Sequence, residues 1–196
     1  QVVTKPAETV TEGHQVEVRG GDDFVSRGGH KLEKAIESFG IDLTGTVCID
    51  VGASTGGFTD CMLRHGAAFV YAVDVGYGQL AWRLRQDERV KTMERTNARY
   101  LEPEMFERPA SFASIDVSFI SIRLILPALM RVLAPPYAIA ALIKPQFEAG
   151  RGKVGKHGVV RDADTHIEVI ETVLSAARGM GLAVRGLTFS PIKGPQ

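Results

Sequence analysis

The chain has 196 residues, 44% hydrophobic and 23% charged, a length and balance that suit one globular domain with its own core. Lys plus Arg and Asp plus Glu each number 23, and zero net charge argues against a domain that holds nucleic acid by bulk charge alone, unless its basic residues cluster or another module supplies the grip. No apolar run is long enough to cross a bilayer, no signal peptide opens the sequence, and the two cysteines, Cys48 and Cys61, form neither a disulfide framework nor a zinc site, so a reducing, cytoplasmic setting without metal is expected.

Residues 1–21 read as short strands and turns, too short to fold alone, and the domain proper is expected over 22–196. A helix is predicted from about Ser26 or Gly28, where Leu32, Ala35, Ile36 and Phe39 make an apolar stripe and Gly40 a stop. Thr46–Val51 is a buried-type strand, Phe58–Arg64 opens a helix, and Ala68–Val73 is a second strand. A short helical piece, Leu80–Arg85, precedes a strand over Val90–Met93. Next come a strand over Phe112–Val117, a helix over Ser121–Val132 and the pair Pro135-Pro136 after its end. The strand Tyr137–Ile143, an amphipathic helix over Asp164–Arg178 and a last strand over Leu182–Phe189 complete the pattern. Strands alternating with helices at this spacing predict an α/β fold, a mostly parallel sheet with helices on both faces. Ligands of such sheets bind outside the carboxyl ends of the strands.

The first strand runs into Asp50-Val51-Gly52-Ala53-Ser54-Thr55-Gly56-Gly57-Phe58-Thr59-Asp60. A glycine-rich turn between strand and helix brings backbone amides close to a ligand, and Asp74, ending the second strand, is placed to accept hydrogen bonds from ribose hydroxyls. Alone, such a turn is as easily a structural one; with the second acid it points to a nucleoside cofactor. The dinucleotide fingerprint needs glycine where Ser54 stands, and the phosphate loop with its Gly-Lys-Ser/Thr ending is absent. S-adenosylmethionine is therefore favoured over a dinucleotide or ATP.

Two further strand ends carry charges into the same crevice: Asp116 within SIDVSF and Lys144 within LIKPQFE. A lone charge of this kind is usually a solvated cap; two of opposite sign beside a cofactor loop point to catalysis. Lys31, in the first helix turn of SRGGHKL, opposes the helix dipole at roughly 0.3–1 kcal/mol, so it is either a tolerated surface lysine or a charge placed to meet RNA phosphate or the reacting ribose. His30 reads as a surface histidine. The glycine-rich stretch 149–161, bearing Arg151, Lys153, Lys156 and Arg161, is either a surface loop or a phosphate-gripping lid.

These residues resemble the TlyA group of ribosomal-RNA 2′-O-methyltransferases, also called hemolysin A-like proteins, within the wider FtsJ-like methyltransferases. The resemblance rests on VSRGGHKL (25–32), DVGASTGGFTD (50–60), AVDVGYGQL (72–80), ERTNARYL (94–101), SIDVSFIS (114–121), LIKPQFEAGR (142–151) and GVVRDADTH (158–166), and covers nearly the whole chain. It implies a Rossmann-like class I methyltransferase domain with its last strand beyond this sequence, and it makes residues 1–21 the tail of an S4-type RNA-binding module. It implies S-adenosylmethionine as cofactor, ribosomal RNA or a ribosomal subunit as partner, and transfer to a ribose 2′-hydroxyl, with cytidine as the target. Family members use a Lys-Asp-Lys-Glu tetrad. Its first three members correspond to Lys31, Asp116 and Lys144, and the Glu is expected beyond residue 196. The cofactor set is Asp50, Gly52, Ser54, Thr55, Gly56, Gly57 and Phe58, with Asp74, Val75, Asn97 and Asp116.

An alcohol is a poor nucleophile until its proton is removed or its negative charge is held, and Lys144, beside Asp116 and Lys31, is the residue expected to do this. The rival readings are a membrane-active hemolysin, a cofactor- and rRNA-binding module without catalysis, and a methyltransferase for a small molecule or protein. The helix at 164–178 has the face of a core-packing helix, and the three retained charges speak against a silent module.

Overall fold

The computed structural model describes residues 24–155 and 158–194. The expected module tail at 1–21 lies outside the described residues. Five strands form one parallel sheet: β1 (Val47–Val51), β2 (Phe69–Val73), β3 (Val90–Met93), β4 (Ala110–Ile115) and β5 (Leu133–Ala141), in the order β3-β2-β1-β4-β5. The chain therefore moves outward from β1 to β3, then returns to lay β4 on the other side of β1. That reversal opens the crevice at the carboxyl ends of β1 and β4 in which such sheets bind ligands.

The period-2 alternation of the strands sorts the core into two layers. Ile49, Val51, Tyr71, Val73, Ala113 and Ile115 face α4 (Leu126–Val132) and α6 (Ala163–Gly179). Cys48, Val70, Ala72 and Phe112 face α1 (Gly29–Phe39) and α2 (Gly57–Arg64). The predicted stripe of α1 buries Leu32 and Ile36, and Gly40 ends the helix with φ 61°, a left-handed cap that favours glycine. Of two short helices, α3 (Trp82–Arg85) lies in the connection from β2 to β3 and α5 (Pro145–Glu148) follows the end of β5.

Three predicted elements are corrected. The helix over Ser121–Val132 is divided: residues 122–124 form a 3-10 turn capped by Ser121, and α4 begins at Leu126 with Pro127 in its first turn, where proline needs no amide hydrogen. Pro135 and Pro136 lie within β5 itself, in its irregular stretch before the pairing of Ala138 with Phe112; an edge strand tolerates residues that donate nothing to a ladder. Residues 182–189 form no strand. Extended backbone becomes a strand only with a ladder partner, and here residues 182–189 pair with no strand: Leu182, Val184 and Thr188 line a cleft of about 690 Å³ together with Tyr137, Ile139 and Ala141 of β5.

Candidate active site

The glycine-rich turn runs from the end of β1 into α2. Its glycines are demanded by the protein's own packing. A Cβ on Gly52 (φ 84°) would lie 2.6 Å from the carbonyl oxygen of Asp116, so β1 and β4 can only end this close together without a side chain there. A Cβ on Gly56 (φ 97°) would meet Leu84 at 2.2 Å, and one on Gly57 would meet Ser26 Oγ at 2.5 Å and the Gly29 amide nitrogen at 2.9 Å. Gly56, Gly57 and Phe58 are buried, while Ser54 and Thr55 are exposed at the turn's crest. Ser54 holds φ 49°, and its amide donates to Asp74 Oδ2 at 2.8 Å. The first amides of α2 have no acceptor within their own helix and leave partial positive charge at the turn.

Asp50 lies beneath the turn rather than on it. It is fully buried and points toward α2, where Thr59 Oγ1 donates at 2.7 Å and Ser114 Oγ, its neighbour across the β1–β4 pair, donates at 3.0 Å. Burial pushes its carboxyl up to about 6, against the opposing pull of those two hydroxyls. Burial likewise pushes the thiols up, Cys48 to about 11 and Cys61 to about 12, so both sit in the core as protonated side chains.

Asp74, half-buried, follows β2 and accepts from the amides of Ser54 and, at 2.7 Å, Gly76. Val75 beside it is 70% exposed, an uncovered apolar surface. Across the crevice mouth, exposed Asn97 caps a 3-10 turn by accepting from the Arg99 amide at 3.1 Å. A carboxylate, an apolar wall and a side-chain amide around one strand end are the groups a nucleoside needs: acceptors for its hydroxyls, a surface for its base and polar contacts at the base edge. The turn and the Asp74 corner thus fit S-adenosylmethionine.

The other side of the crevice carries the charges. Lys31 reaches over from the first turn of α1 and its Nζ donates to Asp116 Oδ2 at 3.0 Å. Lys144, the residue that caps α5, brings its Nζ to 2.6 Å from Asp116 Oδ1 and donates to Ser118 Oγ at 3.1 Å. Asp116 Oδ1 is buried, and its contact with Lys144 is an ion pair without the alignment of a hydrogen bond. Three residues that are 85 and 28 positions apart in sequence thus form one cation–carboxylate–cation cluster, each 15–21% exposed at the side chain. Lys31 is no idle surface lysine: the dipole penalty at its helix start is offset by Asp116.

Sequence reasoning left three neighbours unassigned. Phe119 is 92% exposed with φ 65°, and its ring lies 5.1 Å from that of Phe147. Tyr77, also exposed, lies under the Arg95 guanidinium at 4.4 Å. Glu148 has a nearly buried carboxylate that meets the loop after β4. Periodicity has no power here, because all three sit on loops or a helix of one turn. Of the basic stretch 149–161, Lys153 pairs with Glu168 of α6, and Lys156 lies outside the described residues. Among the described residues no group of three His, Cys, Asp or Glu could hold a metal ion, and no helix is long and apolar enough to cross a membrane.

Residues 24–196 match the model of the FtsJ-like methyltransferase family. The Bacillus subtilis protein YqxC, named for rRNA methylation, is 53% identical over 192 residues, 97% of this chain and 68% of that protein. The Mycobacterium tuberculosis 16S/23S rRNA (cytidine-2′-O)-methyltransferase TlyA is 46% identical over 193 residues, 97% of this chain and 72% of that protein. A solved structure from Streptococcus thermophilus, carrying a hemolysin name, superposes with a TM-score of 0.86 at 55% identity, over 89% of this chain and 64% of that one. The chain thus spans about two thirds of the proteins it matches. With the turn, the Asp74 corner and the lysine–aspartate–lysine cluster set around one switch point of a parallel sheet, the chain belongs to the FtsJ-like methyltransferase family.

Proposed function

We propose that the chain transfers a methyl group from S-adenosylmethionine to a ribose 2′-hydroxyl of ribosomal RNA, at cytidine. The observation that carries this reading is the Lys31–Asp116–Lys144 cluster, formed at the ends of α1, β4 and β5 beside the glycine-rich turn. When bound, the cofactor supplies an electrophilic methyl group. Asp74 and Asn97, the exposed Ser54 and Thr55, and Val75 would hold its nucleoside part and the adjoining chain.

The protein's own task is to make a weak nucleophile attack. Lys144 Nζ meets the ribose oxygen; as a cation it holds the developing negative charge, and only after giving up a proton of its own can it take up that of the hydroxyl, so it lowers the barrier in the way preorganised cations or general bases do. Asp116 fixes the direction of Lys144, and Lys31 balances the carboxylate from its other side. Bringing the oxygen into line is the remaining work of the site. Phe119 and Phe147 offer an exposed aromatic surface beside Lys144, suited to stacking a base that has left its helix, and Arg99 stands next to it for a phosphate. The 2′-hydroxyl is also what separates RNA from DNA at such a site.

The hemolysin name belongs to relatives such as the Streptococcus protein, and among the described residues no helix is long and apolar enough to span a membrane. The test has two stages. Calorimetric titration with S-adenosylmethionine, with NAD as control, is expected to show binding of the first alone. Transfer of labelled methyl to ribosomal subunits, followed by nucleoside analysis, is expected to yield 2′-O-methylcytidine. Label in a base, or none in RNA that the protein demonstrably binds, would overturn the proposal.

A further inference from the structure

The two loops that carry the charges come from different strands. Asp116, Ser118 and Phe119 follow β4, whereas Lys144 follows β5 and caps α5. Backbone pairing stops at the strand ends, with Leu142 donating to the Ile115 carbonyl as the last rung, so something else must hold the loops in register. The β4 loop is also strained. Phe119 adopts φ 65°, a left-handed conformation that a bulky residue keeps only when its surroundings enforce it, at roughly 1–3 kcal/mol.

Besides the contacts of Lys144 itself and the Phe119–Phe147 ring pair, the residue that spans the gap is Glu148. It closes α5, four positions after Lys144, and its side chain is 2% exposed. Its Oε1 accepts from the Ile122 amide at 2.7 Å, and its Oε2 accepts from Ser121 Oγ at 2.6 Å and, longer, from Arg123 Nε at 3.4 Å. Ser121 Oγ in turn accepts from the Arg123 amide at 3.2 Å and Arg123 Nε at 3.1 Å, which fixes the 3-10 turn directly after Phe119. Every one of these donors belongs to the β4 loop. The burial of a carboxylate here is compensated by a backbone amide, a hydroxyl and a guanidinium together.

We infer that Glu148 is a positioning residue for methyl transfer, which clamps the β5 loop to the β4 loop and thereby sets Lys144 against Asp116 and Ser118. The inference rests on the proposed reaction and deepens it. Glu148 does not touch the glycine-rich turn or Asp74, since its hydrogen-bond partners lie in residues 121–123 whereas the turn and Asp74 follow β1 and β2. Its loss therefore separates two quantities that a general loss of structure would lower together.

Glu148→Ala, Glu148→Gln and Ser121→Ala are compared with the wild type in the full chain, by thermal melting, cofactor titration and single-turnover methyl transfer. Glu148→Ala is expected to keep its affinity for S-adenosylmethionine within about twofold and to lose about 100-fold in transfer rate, the scale of an ångström-sized misplacement. Glu148→Gln keeps one acceptor oxygen, enough for the Ile122 amide, while its NH2 can meet Ser121 Oγ only as a donor, so it is expected to recover part of that rate. Ser121→Ala, which removes one rung of the clamp from the opposite loop, is expected to fall between them and decides the matter should Glu148→Ala fail to fold. Wild-type rates in folded Glu148→Ala, or in Ser121→Ala where that protein is unfolded, would overturn the inference. So would an equal loss of cofactor affinity and rate. A wild type that binds the cofactor and RNA but transfers no methyl overturns the proposed function instead.

Discussion

The two halves of the crevice are built in opposite ways. On the β1–β2 side the turn is part of the core: Gly56, Gly57 and Phe58 are buried, Asp50 is sealed beneath, and Leu84, Ser26 and the Asp116 carbonyl leave no room for a Cβ. On the β4–β5 side the important groups are partly exposed side chains on short loops, held by ion pairs and one buried acid. The first half derives its shape from packing and the second from charge. Substitutions in the first half should therefore cost stability or affinity, and those in the second should cost rate.

The largest expected effect is on the charged side. Lys144→Ala removes the group proposed to meet the ribose oxygen, and transfer should fall by roughly 10³-fold, within the span of a lost general base, while S-adenosylmethionine still binds. Single-turnover transfer beside calorimetry checks both, and full activity would end the assignment. On the packed side, Gly56→Ala forces a Cβ into Leu84 and Leu80 at a φ of 97°, so unfolding free energy should drop by roughly 3 kcal/mol through strain and overpacking. Urea denaturation reads this directly. A stable Gly56→Ala protein that had only lost cofactor affinity would instead return the glycine to the ligand.

The same contrast explains what the sequence made legible. Alternating strands and helices, the switch point and the charged strand ends follow from periodicity and from where apolar runs stop, and the structure brings Lys31, Asp116 and Lys144 together as the family resemblance implies. The reason for the glycines was hidden, because the atoms that exclude a Cβ come from Leu84, Ser26 and Asp116, distant in sequence. Asp50, which the resemblance places in the cofactor set, carries its inward direction in the strand pattern itself. In Val47–Val51 it alternates with Ile49 and Val51 and shares a face with Cys48, which directs it toward α2. Residues 182–189 show the limit of pattern: their apolar character is that of a strand, but a strand also needs a neighbour to bond to.

Asp50 offers a sharper test of the packed side. Its carboxyl is raised to about 6 in the folded chain from about 3.8 when unfolded. Between those values the folded protein binds the extra proton, so this group lowers stability as pH rises from about 4 through 6 and leaves it lowered above. A rise of that size corresponds to an effect on the order of 2–3 kcal/mol. Asp50→Asn, with Thr59 and Ser114 still able to bond it, should lack that dependence. The difference in urea midpoint between variant and wild type should then widen in favour of the variant from about pH 4 to about pH 6 and level off above, since only between those values do folded and unfolded chains differ in bound protons. A constant difference would show that the Asp50 carboxyl titrates alike in both states.

Asp74 sits where the two modes of construction meet, and its removal should have the smallest effect of the four. Its carboxylate orders the turn through the Ser54 and Gly76 amides, yet it is half-exposed at the corner that fits a nucleoside. A hydrogen bond to a charged acceptor is worth about 1.5–3 kcal/mol, so Asp74→Ala should weaken S-adenosylmethionine binding by roughly 10- to 100-fold. If the loss came only from a loosened turn, Asp74→Asn would repair little, since one amide oxygen cannot serve Ser54 and Gly76 as two carboxylate oxygens do. A competing ligand resolves the two contributions. S-adenosylhomocysteine has the same ribose, whereas an analogue lacking the ribose hydroxyls offers Asp74 no donor. If Asp74 binds the ribose, the wild type should prefer S-adenosylhomocysteine strongly and Asp74→Ala should lose that preference. An equal fall in affinity for both ligands would make Asp74 a strut of the turn and leave the ribose to another residue.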